Sequence, residues 1–151
     1  IGNEGMGHLL QTLREQPQAL QFLKELNLSS NYIGNKGMCH LSQVLRKNPK
    51  ALQFLKELNL SYNEIGNKGM VHLSKALRKN PKALQSLTAL NLKSNQIGAE
   101  GMDHFTLTLR KFPQALKSLT ILNLDDNEIE KTLEELLSKS PRLESLTKLT
   151  L

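Results

Sequence analysis

Residues 23–38 read LKELNLSSNYIGNKGM and residues 55–70 read LKELNLSYNEIGNKGM, so fourteen of sixteen positions are identical at an interval of 32 residues. Only Ser30/Tyr62 and Tyr32/Glu64 differ between them. The copying extends outward in both directions. Residues 19–50, 51–82 and 83–114 are three units of 32, 115–142 is a shortened unit of 28, 143–151 opens a fifth, and 1–18 match the second half of a unit. Self-similarity at a fixed period marks a solenoid, in which each unit buries its apolar face only against its neighbours. The whole of 1–151 is therefore expected to be a single repeat array.

Each unit has two halves of different period. In the first, Leu26 and Leu28 flank Asn27, the alternation of a short strand with one buried face. Asn31 then falls where the chain must turn, and its amide suits backbone groups left unpaired by the turn. Repetition at Asn63, Asn95 and Asn127 would stack such amides into a ladder. In the second half Met38, Leu41 and Leu45 form one helical stripe, with Asn35 as the expected N-cap, Arg46 and Lys47 in the last turn, and Pro49 as the stop. Helix axes pack roughly 8–10 Å apart and strands about 4.8 Å apart, so stacked units must curve with the strands inside.

The pattern L-x-x-L-x-L-x-x-N-x-I-G-x-x-G, followed by a helix, resembles the leucine-rich repeat, in its ribonuclease-inhibitor-like form. The resemblance implies an α/β horseshoe with parallel strands on the concave face and helices on the convex face. It also implies a protein-binding module rather than an enzyme. In LTILNLDDNEIEKTL, beginning at Leu119, both glycines and four residues are missing, which signals a break in the array or the approach to its end. Near-identical units rich in Lys and Asn also resemble leucine-rich-repeat effectors of intracellular bacteria such as Legionella, which act on host proteins from the host cytoplasm. Ran GTPase activators resemble the same repeat form, so a GTPase-activating array is an alternative, as are the sensing repeats of an innate-immune receptor.

Composition narrows the classes. Hydrophobic residues make up 38% of the chain, with six aromatics and no tryptophan, so the core must be aliphatic. No apolar run approaches the roughly 18 residues that cross a bilayer. With Cys39 as the one cysteine, a disulfide framework is excluded and a reducing, cytoplasmic setting is expected. The array starts and stops within its pattern, with no polar capping unit, and is expected to belong to a longer one.

Motifs of catalysis are missing: there is no G-x-S-x-G, no phosphate loop with its lysine and no H-E-x-x-H. His8, His40, His72 and His104 recur once per helix, but helix spacing of roughly 8–10 Å keeps four rings from converging on bonds of about 2 Å. Asp125, Asp126, Glu128 and Glu130 lack the glycine and alternation of a calcium loop and read as an acidic rim. Cys39 shares its column with Gly7, Val71 and Asp103, which suggests a solvent-facing position. No metal, cofactor or small-molecule substrate is expected.

Charge is unevenly distributed. The five helix-exit segments hold eleven of the twenty Lys and Arg residues and a single acid, Glu15, so they form a basic stripe on one edge. Nucleic acid would also need aromatic platforms or an element shaped for a groove, and is not the expected partner. A protein is. Its binding surface is expected where units differ while the leucines stay constant: the strand face and adjoining loops, with Glu25, Tyr32, Glu57, Tyr62, Glu64, Lys93, Asp125 and Asp126 as partner-binding residues.

Overall fold

Short strands and longer helices alternate along the chain in a computed structural model that describes residues 1–130 and 133–151. The elements are α1 (Gly2–Glu15), β1 (Glu25–Asn27), α2 (Gly34–Lys47), β2 (Glu57–Asn59), α3 (Gly66–Lys79), β3 (Ala89–Asn91), α4 (Ala99–Lys111), β4 (Ile121–Asn123), α5 (Leu133–Lys139), α6 (Pro141–Glu144) and β5 (Lys148–Thr150). The strands form one parallel sheet in chain order. Leu26, Leu58, Leu90, Leu122 and Leu149 stand opposite one another across it. This is an α/β solenoid with strands on the concave side and helices on the convex side.

The core lies between the two layers and, contrary to expectation, is not wholly aliphatic: Phe105 is fully buried where α2 and α3 carry Leu41 and Leu73, the helical stripe accepting a ring in place of leucine. Leu58, Leu60, Ile65, Met70, Leu73 and Leu77 are all buried, so one unit contributes a strand leucine, the leucine just after the strand, a turn isoleucine and a helical stripe. Equivalent residues of the flanking units join the same cluster. The spacing I-G-x-x-G has two separate causes. Gly66 sits at φ +62°, a left-handed conformation that suits glycine, while a Cβ on Gly69 would lie 2.3 Å from Cγ2 of Ile65.

The asparagine ladder forms as expected. Asn63 is fully buried; its Nδ2 donates to the carbonyls of Leu28 (2.8 Å), Leu60 (3.0 Å) and Ser61 (3.0 Å). Its Oδ1 accepts the backbone N–H groups of Asn31 (3.0 Å) and Ile33 (3.2 Å) of the preceding unit. Asn95 and Asn127 repeat most of this pattern, so the turn's backbone polar groups are satisfied without water.

Helix ends depart from expectation. The cap positions of α2 and α3 are Ile33 and Ile65, neither with a side-chain cap, and Asn35 lies inside α2. Capping instead crosses between units. Asn3 Oδ1 accepts the N–H of Gly37 (2.7 Å), and Asn67 Oδ1 accepts those of Gly98 (2.8 Å) and Gly101 (3.0 Å). At the other end Asn80 Nδ2 donates to the carbonyl of Leu45 (3.1 Å), in the last turn of the preceding helix. A left-handed glycine turn carries the chain straight from Ile33 into α2, which places Asn35 within the helix, and the cross-unit bonds are made by Asn3 and Asn67.

The shortened unit keeps its strand and replaces one long helix with α5 and α6. Arg142 donates through Nε to the carbonyl of Leu116 (3.3 Å) and through Nη2 to those of Leu116 (2.9 Å) and Lys117 (2.9 Å). These carbonyls belong to a turn in which Leu116 has φ +50°. Arg142 therefore binds the turn and leaves the basic stripe at its C-terminal end.

Candidate functional site

On the concave face, Glu25, Glu57, Ala89, Ile121 and Lys148 stand in lateral register across the five strands. The row passes from two carboxylates through two apolar side chains to an ammonium. A shallow depression over β2 to β5 is lined by this row from Glu57 onward and by the parallel row Asn59, Asn91, Asn123 and Thr150. Ile121, near its centre, is an apolar residue left 40% exposed. Along the full asparagine row of Asn27, Asn59, Asn91 and Asn123, each Oδ1 accepts the backbone N–H two residues on, at 2.9–3.0 Å. The four carboxamides therefore turn their acceptors to the chain and keep their NH₂ groups for the hollow.

The rim follows from the turn geometry. Ser30, Tyr62, Ser94 and Asp126 precede the ladder asparagines with φ of 52–57°, and Tyr32, Glu64 and Gln96 follow them with φ of 50–57°. A left-handed residue on each side of an inward asparagine turns both neighbours outward. Tyr32 is 73% exposed and Tyr62 52%. Lys93 Nζ lies 3.0 Å from Asp126 of the next unit, to which Ser94 also donates at 3.4 Å. The hydrogen bond and charge of Asp126 raise the Lys93 pKa, and the same contact lowers that of Asp126.

The expected partner-binding residues thus divide into two groups. Glu25 and Glu57 lie on the floor, while Tyr32, Tyr62, Glu64, Lys93 and Asp126 line the rim, with Asp125 half-buried beside Asn123. Lys93 and Asp126 come together as an ion pair rather than as two separate contacts. Ser61, at the position held by Lys93 and Asp125 in the following units, is buried and donates its hydroxyl to Asn59 Oδ1. Ile121 and Lys148 lie outside the expected set yet share the floor row with Glu25 and Glu57, and an isoleucine alternating with Leu122 is the sequence signal for it. Cys39 is partly buried rather than fully solvent-facing. Among the described residues, no three metal-ligating side chains converge.

A family model described as Leucine Rich repeat matches residues 19–38, 51–74, 83–104 and 115–132, together more than half the chain. Among solved structures, the chain is similar to one described as leiomodin-1 actin-binding site 2, with TM-score 0.63 and 20% identity, over 95% of this chain and 76% of that one. It is also similar to the tropomodulin C-terminal domain of Caenorhabditis elegans, with TM-score 0.66 and 16% identity, over 97% of this chain and 81% of that one. No individual curated protein matches the chain by sequence. At these identities the structural likeness concerns the fold.

Proposed function

The chain belongs to the leucine-rich repeat family, and from that premise we propose that it is a protein-binding module whose concave face and rim hold one partner protein. The graded row from Glu25 to Lys148 carries this reading. It fits a segment laid across the strands with basic groups over β1 and β2, an apolar side chain over Ala89 and Ile121, and an acidic group at Lys148. Tyr62 and Tyr32 add large amphipathic contacts at the rim, of the type enriched in interface hot spots. The carboxylates would speed encounter with a basic partner. Nothing in this arrangement needs a reacting group, and the chain is read as a binder rather than an enzyme.

Capture on the immobilised chain, with mass spectrometry, identifies the partner; surface plasmon resonance on variants then places it. Ile121→Glu and Tyr62→Asn are each expected to weaken binding by about 2 kcal/mol, while Lys47→Ser and Lys79→Ser change little. Loss confined to the lysine variants would move the site to the helix-exit edge. We also read the near-copied units as fitting an effector that acts on host proteins. A translocation reporter fused to the full-length protein tests this, and failure of the reporter to reach host cytoplasm would remove the effector role while leaving the binding face intact.

A further inference from the structure

On the flank where helices hand over to strands, the rings of Phe22 and Phe54 lie face to face, with centroids 6.0 Å apart and planes within 5°. They are 73% and 45% exposed. The fold does not need them, because Ser86 and Ser118 occupy the same place in the next two units. The neighbouring column changes at the same point, from Lys24 and Lys56 to Thr88 and Thr120. Thr88 and Thr120 give their hydroxyls to the carbonyls of Lys56 (3.0 Å) and Thr88 (3.1 Å), so the column's structural role is met without a charge. Lys24, Lys56 and Lys50, the last four residues before Phe54, are exposed and form no ion pair among the described residues. Glu25 and Glu57 follow directly in sequence but stand in the concave row described above.

We propose that this flank is a second docking surface, separate from the concave face, for a short acidic protein segment that sets an apolar side chain on the Phe22–Phe54 stack and its carboxylates on Lys24, Lys50 and Lys56. Exposed aromatics among cations suit such a segment, since the rings supply apolar area and the ammonium groups supply matching charge. On the C-terminal side Ser86 and Ser118 interrupt the ring series. A single-stranded nucleic acid stacks on successive platforms, so an oligonucleotide is the contrast probe in the test.

Fluorescence anisotropy with a labelled peptide in which glutamates flank a Phe-Leu pair tests the proposal. The double variant Phe22→Ser/Phe54→Ser writes in what the third and fourth units already carry, so the fold is retained, with circular dichroism as the check. Peptide affinity should fall about tenfold or more in that variant. Lys24→Thr/Lys56→Thr should weaken it too, and raised salt should reproduce the loss. Ile121→Glu, on the concave face, should leave it unchanged. Absence of peptide binding, equal binding by the double serine variant, or tighter binding of labelled oligothymidylate than of the peptide would each overturn the assignment.

Discussion

Asn63 gives its backbone N–H to the side-chain oxygen of Asn95, one unit ahead, at 3.0 Å, and its own side-chain oxygen receives the N–H of Asn31, one unit behind, at 3.0 Å. The contact is reciprocal along the array, so each asparagine satisfies its own turn and its predecessor's. Removing one leaves donors and acceptors in two units buried without partners. Asn63→Ala is expected to cost about 3 kcal/mol or more, at roughly 1–3 kcal/mol per orphaned group. Asn27→Ala, at an exposed residue whose acceptor serves Ser29, should cost no more than about 1 kcal/mol. Urea denaturation midpoints distinguish the two.

Capping across units gives a contrast within one sequence position. Asn67 bonds the start of α4, while Asn35, its counterpart, makes no such bond to α3. Asn67→Ala should destabilise by about 0.5–2 kcal/mol, the usual worth of a helix cap, and Asn35→Ala should lie near zero. Equal thermal shifts for both would return the cap to the residue's own helix.

Left-handed rim residues restrict substitution. Glu64 has φ +57°. A β-branched side chain there meets the backbone, so Glu64→Val should lose about 1–2 kcal/mol of stability, whereas Glu64→Asn should be tolerated. The same reasoning makes asparagine the informative replacement at Tyr62, because it removes the ring in a residue type that tolerates the turn. Chemical denaturation measured alongside binding separates the two effects.

His72 has a pKa lowered by burial first and by the charge of Lys75 second. Its neutral form is therefore favoured in the folded state, and the unfolded chain binds the extra proton. Stability from this group is fully present above the ordinary histidine value of about 6.5 and is lost as pH falls through the lower folded value. Denaturation midpoints should fall between pH 7.5 and pH 5, and His72→Gln should flatten part of that slope.

Much of the fold is legible in sequence because it repeats. Leu58 and Leu60 alternate with Asn59, Met70, Leu73 and Leu77 form a stripe, and Asn63 recurs at a fixed turn. These patterns depend on one unit's own geometry. What the sequence conceals depends on the lateral distance between units: the Asn67 cap on α4, the Lys93–Asp126 pair, the Phe22–Phe54 stack and the turning of Arg142 onto the carbonyls around Leu116. Glu25 and Glu57 could be placed outward by strand alternation alone. Ser61 could not, since its burial follows from a hydroxyl turned back to Asn59. Sequence reading likewise sees the acidic and aromatic members of the concave rows more readily than Ile121, whose meaning appears once it stands between Ala89 and Lys148.

Because the strands meet in one register and Asn63 and Asn95 bond their neighbours alike, the strand-and-turn half of one unit can stand beside that of another. Misaligned recombination between near-copies of one 32-residue stretch would add or remove a whole unit, and the shared strand register accommodates such a step. Excising residues 51–82 would join Lys50 to Ala83 and set Asn95 against Asn31 with the same bonds that Asn63 makes now. Duplication would extend the sheet by the same rule. Length is thus a trait on which selection can act in whole steps, lengthening or shortening the recognition surface while each retained unit keeps its fold.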